Sequence, residues 1–301
     1  MVLSGFSGPR QSESELAEAV AAAHEALEGA SHILIGGGAG LSTAAGLTYF
    51  GERFNSHFKN FIDYYGMTDM YSAGFYPFPD EESKWAYWAE HIWINRYNPP
   101  AQPLYEQLYD YLRTRDHFVL TTNVDAQFAK AGFSKSRVFA TQGDYGIMQC
   151  QNGCHDGLYS NKEAVDAIRL DTRGGQRVRI SDSALVPRCP KCSGPMAPWL
   201  RSDDTFVEDD DWRAARDRYA KWLESALTSG GLVLVEMGVG FNTPGIIRFP
   251  FERIAAEGGY VLVRMNFDSA SIDASGVAHG IAIQGDIART WPCVVEGCVA
   301  P

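Results

Sequence analysis

Apolar residues recur at helical spacing from the first ordered pattern of the chain. Leu16, Val20, Ala23 and Leu27 fall on one face, and Ser12 stands three residues before Glu15, the spacing of a capping box. The pattern predicts a helix that Gly29 ends. A short apolar run, His32 to Ile35, then leads into Gly36-Gly37-Gly38-Ala39-Gly40, after which Leu41 to Gly46 reads as a new helix start. Strand, glycine turn and helix follow one another without a gap. From about Tyr49 to Tyr97 aromatic residues crowd the chain, among them Phe54, Phe58, Phe61, Tyr64, Phe75, Trp85, Trp88 and Trp93. They are expected to form a helical layer packed on the sheet, with a pocket wall as the other reading. Two further strands, His117–Thr121 and Arg137–Thr141, deliver Thr122-Asn123-Val124-Asp125 and Gln142-Gly143 at their C-terminal ends. Trp212 to Leu227 has helical periodicity through Tyr219, Trp222, Leu223 and Ala226. Strands at Leu232–Glu236 and Tyr260–Arg264 then precede Gly238-Val239-Gly240 and Asn266.

Strands that alternate with helices predict an α/β fold, a Rossmann-like and mostly parallel sheet with helices on both faces. Residues 12–148 and 200–292 are expected to build that domain, with a helical, aromatic-rich insertion at about 51–100. Residues 149–199, which carry four of the cysteines, are expected to form a small module of their own. The 301 residues are enough for both units.

The formal charge of −11 argues against a nucleic-acid partner, because phosphate contact needs a basic surface. The first residues lack the basic start and apolar core of a signal peptide, and the most apolar stretch, Leu232 to Val239, is short and carries Glu236. No membrane association is expected, and a cytoplasmic or otherwise intracellular location is the expectation. In that setting cysteines are metal ligands more often than disulfides. Cys150-x3-Cys154 and Cys189-x2-Cys192 form two close pairs, each able to supply one edge of a tetrahedron around Zn²⁺. Four sulfurs leave no open coordination position, so the predicted zinc is structural; His155 is the alternative donor. Cys293 and Cys298 stand apart and read as reduced thiols.

The glycine turn is a weak signal alone, since Thr43 stands where the generic dinucleotide fingerprint has its third glycine. Its company matters more. Asn123, Asp125, Gln142, Gly238-Val239-Gly240 and Asn266 all follow predicted parallel strands, whose ends share one crevice in an open α/β sheet. Gly38-Ala39-Gly40-Leu41-Ser42 with Gly46 and Phe50 resembles the sirtuin motif GAG-x-S-x-x-x-G-I-x-x-F. Thr122-Asn123-Val124-Asp125, with Ala131-Gly132 after it, looks like the sirtuin T/Q-N-I-D…AG segment. Gln142-Gly143 stands where sirtuins carry His-Gly. Gly238-Val239-Gly240 replaces their GTS element, Met265-Asn266 their ribose-binding strand end, and Gly285-Asp286-Ile287 their last adenine-side contact. The resemblance runs in order from about residue 15 to 290. It implies NAD as co-substrate, held by these residues with Thr122 and with Arg53, whose register is shifted relative to the family's P-D-F-R run.

The departure at Gln142 bears on chemistry. In deacetylating sirtuins the histidine here is a general base, and an imidazole with a pKa near 6.5 suits that task. A glutamine amide takes no proton. Asn123 and Asp125, the groups expected to hold ribose and carboxamide as the glycosidic bond breaks, are intact. A polar pocket stabilises the charge that develops, and an already ionised protein carboxylate then attacks without a base. The whole set resembles the microbial class M sirtuins linked to macrodomain proteins. That resemblance implies a protein mono-ADP-ribosyltransferase acting on a lipoylated, glycine-cleavage-H-like carrier, with Asn123, Asp125 and Gln142 catalytic and a macrodomain protein as partner. Lysine deacylation, NAD hydrolysis and a non-catalytic NAD or ADP-ribose sensor are the competing readings.

Overall fold

Two sheets and three apolar cores organise residues 11–268, 270–272 and 276–298, the part of the chain that the computed structural model describes. The strands are β1 (His32–Gly37), β2 (His117–Thr121), β3 (Val138–Ala140), β4 (Gly143–Cys150), β5 (Leu158–Ser160), β6 (Met196–Leu200), β7 (Leu232–Met237), β8 (Val261–Asn266) and β9 (Gly280–Gln284). Six of them pair in parallel in the order β3-β2-β1-β7-β8-β9. The chain winds outward from β1 to one edge, returns, and winds outward from β7 to the other. The strand order therefore reverses between β1 and β7, where an open α/β sheet offers its ligand crevice.

Side chains alternate across this sheet with period two. Ile33, Ile35, Val119, Val235 and Val263 face one core, while Leu34, Leu120, Leu234 and Leu262 face the other. Helices Glu13–Glu28, Pro103–Leu112 and Ile287–Glu296 cover the first face, and Asp210–Ser229 with Arg248–Gly258 the second. With both faces covered, a strand can be apolar throughout, and all six residues of β7 are buried. Its Glu236 is tolerated because Arg264 grips both carboxylate oxygens, at 2.9 and 2.8 Å, and also reaches Glu252 at 2.7 Å. The capping box at Ser12 forms as its spacing predicts.

The third core is separate from the parallel sheet. Helices Glu52–His57, Lys59–Tyr65, Met70–Ala73 and Glu81–Ile92 bury Phe54, Phe58, Phe61, Trp85 and Trp88 together with Cys150, Val165, Ile168, Cys189 and Met196. The aromatic layer was expected on the parallel sheet; it packs instead on the cysteine-bearing segment. Periodicity reports that a helix face is buried and is silent on what buries it. Tyr64 and Phe75 are not core at all, at 71% and 64% exposure. The cysteine segment contributes an antiparallel sheet, β5-β4-β6. The polar run from Lys162 to Ser183 is more than an interruption, because helix Lys162–Thr172 turns Val165, Ile168 and Thr172 inward. No helix of the described residues is long and apolar enough to cross a membrane.

Candidate active site

Parallel register lines the strand ends up. Gly37 pairs with Thr121 and with Met237, Thr121 pairs with Ala140, and Met237 pairs with Met265. The segments beginning at Gly38, Thr122, Thr141, Gly238 and Asn266 thus emerge along one edge of the sheet. The two glycine turns meet there backbone to backbone. Gly40 N–H donates to Gly238 O at 2.8 Å, and Gly38 N–H to Met237 O at 3.0 Å. A Cβ on Gly238, whose φ is +64°, would lie 2.2 Å from Leu41 N, so no other residue fits. The N–H groups of Gly38 and Gly40 therefore have partners inside the protein and are not open to a ligand.

Asn123 sits directly above this contact. Its Nδ2 donates to Gly38 O at 2.9 Å and lies 3.1 Å from Ser42 Oγ and 3.2 Å from Tyr105 OH. Ser42 Oγ donates to Asp125 Oδ2 at 2.5 Å and is 2.8 Å from Tyr105 OH. The hydrogens can be placed by elimination. The Ser42 hydrogen goes to the carboxylate, so the Tyr105 hydrogen goes to Ser42, and the Tyr105 oxygen accepts from Asn123. Every acceptor near Asn123 is met by its NH₂ group. Its Oδ1 has no hydrogen-bond partner among the described residues. The backbone enforces the arrangement: Thr121 Oγ1 accepts from Asn123 N–H at 3.0 Å, and left-handed Ala126, with φ of 57°, brings Gln127 N–H to Asp125 Oδ1 at 3.0 Å. Burial raises the Asp125 pKa above the ordinary carboxylate value, against the lowering effect of Ser42 and the Gln127 amide.

Gln142 lies in the neighbouring segment, which two backbone bonds attach to the first: Thr141 N–H to Thr121 O at 2.9 Å and Tyr145 N–H to Val124 O at 2.9 Å. The Gln142 carbonyl accepts from Arg201 N–H at 3.0 Å. Its side-chain amide has no partner among the described residues. Gly143 after it is obligatory, because at φ +101° a Cβ would lie 1.9 Å from Trp199 O. The chain can therefore swing sharply from Gln142 into β4.

Other residues expected at the cofactor are spread around this centre. Ser42 is buried in the network, Gly46 has a φ of +92°, and Phe50 is 61% exposed. The Arg53 guanidinium is engaged by Thr48 O, Ile94 O and Asn95 Oδ1 at 2.7–2.9 Å. The Val239 side chain is core, and its carbonyl accepts from Asn266 Nδ2 at 2.9 Å. Asp286 caps helix Ile287–Glu296 through Ala288 N–H at 3.0 Å. The Ile287 side chain is buried in the first core, which leaves only its backbone for a ligand. Thr122 follows β2, and its N–H donates to Gly37 O at 3.1 Å. No sequence pattern singles out Tyr105, which reads as one apolar position of helix Pro103–Leu112, or the Tyr49–Tyr145 hydroxyl pair at 2.8 Å.

The four module cysteines converge. All four Sγ atoms lie within 4.8 Å of one another, with Cys150–Cys192 and Cys154–Cys189 at 3.6 Å. Zn–S bonds of about 2.3 Å in a tetrahedron put sulfurs about 3.8 Å apart, so the cluster fits the ion. Lys191 N–H and Gly194 N–H point at Cys189 Sγ and Cys192 Sγ, each at 3.4 Å, and favour the thiolate that zinc needs. His155 Nε2 is 3.9 Å from Cys189 Sγ and bonds the Tyr159 hydroxyl at 3.0 Å, outside the cluster. The acidic stretch beyond the module is largely local structure: Asp203 accepts from Thr205 N–H and Asp209 caps the Asp210–Ser229 helix.

Comparison with known proteins gives a consistent picture. No family model matches the chain. A protein ADP-ribosyltransferase of Staphylococcus aureus (strain Mu50) is 33% identical over 230 residues, covering 76% of this chain and 71% of that protein. A probable bifunctional ADP-ribose hydrolase/ADP-ribosyltransferase of Fusarium oxysporum f. sp. cubense is 31% identical over 296 residues, covering 91% of this chain, which spans about half (47%) of that protein. Among solved structures, a Sir2 homolog in complex with NAD superposes with a TM-score of 0.58 at 15% identity, covering 97% of each chain. Sir2Tm bound to a propionylated peptide superposes with a TM-score of 0.57 at 17% identity, covering 91% of this chain and 96% of that one. At these identities the structures attest the fold.

Proposed function

The chain belongs to the sirtuin-type protein ADP-ribosyltransferases, and from that premise we propose that it moves ADP-ribose from NAD to a carboxylate of a lipoylated, glycine-cleavage-H-like carrier protein. NAD supplies the glycosidic bond that breaks and leaves as nicotinamide. The observation that carries the reading is the Asn123 amide, whose NH₂ side is occupied by Gly38, Ser42 and Tyr105 and whose Oδ1 has no hydrogen-bond partner among the described residues. An oxygen dipole fixed in this way stabilises positive charge at the ribose carbon, and costs no reorganisation when the charge appears. Asp125 holds the network through Ser42. Gln142 offers a donor and an acceptor but no base, which suits an acceptor that arrives already ionised. Thr122, Gly38, Ala39, Gly40, Ser42, Gly46, Phe50, Arg53, Gly238, Val239, Gly240, Asn266, Asp286 and Ile287 are assigned to the cofactor's cradle.

The cysteine cluster keeps its zinc away from this chemistry, as a closed set of four thiolates does. A macrodomain hydrolase is the partner we assign. The pairing of ADP-ribose hydrolase and transferase in the Fusarium relative's name supports it. The protein works without nucleic acid or membrane, in the cytoplasm.

Intact-protein mass spectrometry tests the proposal. Enzyme, NAD and the lipoylated carrier are mixed, with an acyl-lysine peptide in parallel. One ADP-ribose gained by the carrier, an untouched peptide, and loss of transfer in Asn123→Ala are expected. Loss of the peptide's acyl group instead would overturn the role given to Gln142.

A further inference from the structure

The last helix ends in an unusual pair of side chains. Helix Ile287–Glu296 stops at Gly297, whose φ of 67° is left-handed, and the next amide, Cys298 N–H, turns back to donate to Cys293 O at 3.2 Å. Gly297 N–H reaches the same carbonyl. In this kind of helix stop the residue after the glycine folds over the residue five positions before it, and a contact between the two side chains frequently accompanies the turn. Here both are cysteines, and the Cys298 thiol is a hydrogen-bonding neighbour of Cys293. Cys293 is 6% exposed, whereas Cys298 faces solvent. The turn is held firmly: a Cβ on Gly297 would lie 2.9 Å from His24 Nε2, and His24 Nδ1 is 2.8 Å from Val294 O in the same helix.

We propose that Cys293 and Cys298 are an oxidation site, a dithiol that peroxide closes to a disulfide across the helix stop. The exposed Cys298 thiolate attacks one peroxide oxygen, the O–O bond breaks, and sulfenic acid and one water result. The Cys293 sulfur then attacks the Cys298 sulfur, gives up its proton, and expels the sulfenic oxygen as a second water. Two thiols and one peroxide become one disulfide and two waters; the sulfurs lose two electrons in all and the peroxide gains them. The order of attack follows from position. Burial first, and then the neighbouring Cys298 thiol, push the Cys293 thiol up to about 11, so it stays protonated until the partner has reacted. None of the zinc-site cysteines takes part, and the site is independent of the transfer reaction.

The sequence makes the test clean. Trypsin cuts after Arg289, and the peptide that begins at Thr290 carries both cysteines and no others. The zinc-loaded full chain is treated with one equivalent of hydrogen peroxide, alkylated, digested and weighed. The Thr290 peptide is expected to lose two hydrogens and resist alkylation, and Cys298→Ser to abolish that change. Closure should run on the order of tenfold faster in the folded chain than in urea, because the helix stop holds the sulfurs together. A Thr290 peptide alkylated at both cysteines after oxidation overturns the proposal, as does closure no faster when folded than when denatured.

Discussion

The Tyr105 hydroxyl lies 3.2 Å from Asn123 Nδ2 and 2.8 Å from Ser42 Oγ, and it can be deleted without altering the backbone or replacing Ser42 itself. Tyr105 is fully buried and otherwise packs as a core ring, 4.9 Å from the Phe128 ring. Tyr105→Phe therefore removes one hydroxyl and leaves the fold. We expect stability to fall by about 2 kcal/mol, at about 1 kcal/mol for each of the two hydrogen bonds lost, to Ser42 Oγ and from Asn123 Nδ2. The kcat for transfer should fall about tenfold or more while the KM for NAD changes little, because the amide loses orientation and not its place. Steady-state kinetics with a calorimetric melt check this, and a kcat equal to the parent's would remove Tyr105 from the positioning role.

Within Gly238-Val239-Gly240 the two glycines are not equivalent. A Cβ at 238 meets Leu41 N at 2.2 Å, with φ in the left-handed region; at 240 it meets nothing within 4 Å. Gly238→Ala is expected to separate the two turns, costing about 3 kcal/mol or more and abolishing NAD binding. Gly240→Ala should melt within about 0.5 kcal/mol of the parent. Equal effects in a thermal melt would contradict the backbone contact.

His91 predicts a pH dependence. Its Nδ1 is 3.0 Å from the Tyr87 hydroxyl, which donates to Met70 O at 2.8 Å, so Nδ1 carries the hydrogen and Nε2 is bare and buried. Burial, with Arg53 adding to it, holds the imidazole pKa down at about 3 from 6.5. The unfolded chain binds this proton first, so stability is intact above pH 6.5 and is lost as pH falls toward 3, by about 1.4 kcal/mol per unit from this group. His91→Phe should lose less stability than the parent between pH 6.5 and 4.5, measured by denaturant melts. Parallel curves would show that the imidazole is not held neutral.

Zinc removal should loosen the aromatic insertion as well as its own module, since Cys150 and Cys189 share a core with Trp85 and Trp88. Chelation or Cys192→Ser is expected to cost about 3 kcal/mol or more and to shift tryptophan emission, while the parallel sheet keeps its far-UV signal. Identical melts with and without metal would refute a structural zinc.

The sequence by itself determined much of this. Glycines at strand ends, the capping box at Ser12, the period-two strands and the paired cysteines are local signals, each legible because its physics acts within a few residues. They located the α/β fold, the strand-end crevice and the metal cluster. The tertiary structure decided what faces what. The aromatic insertion joins the cysteine module and not the parallel sheet, Tyr105 turns from core ring to partner of Asn123, and Gly38 and Gly40 give their N–H groups to the Gly238 turn. Each of these joins residues from distant parts of the chain. Periodicity encodes that a face is buried or a hydrogen bond must be made, whereas the identity of the partner is fixed only when the strands align and the segments beyond them are brought together.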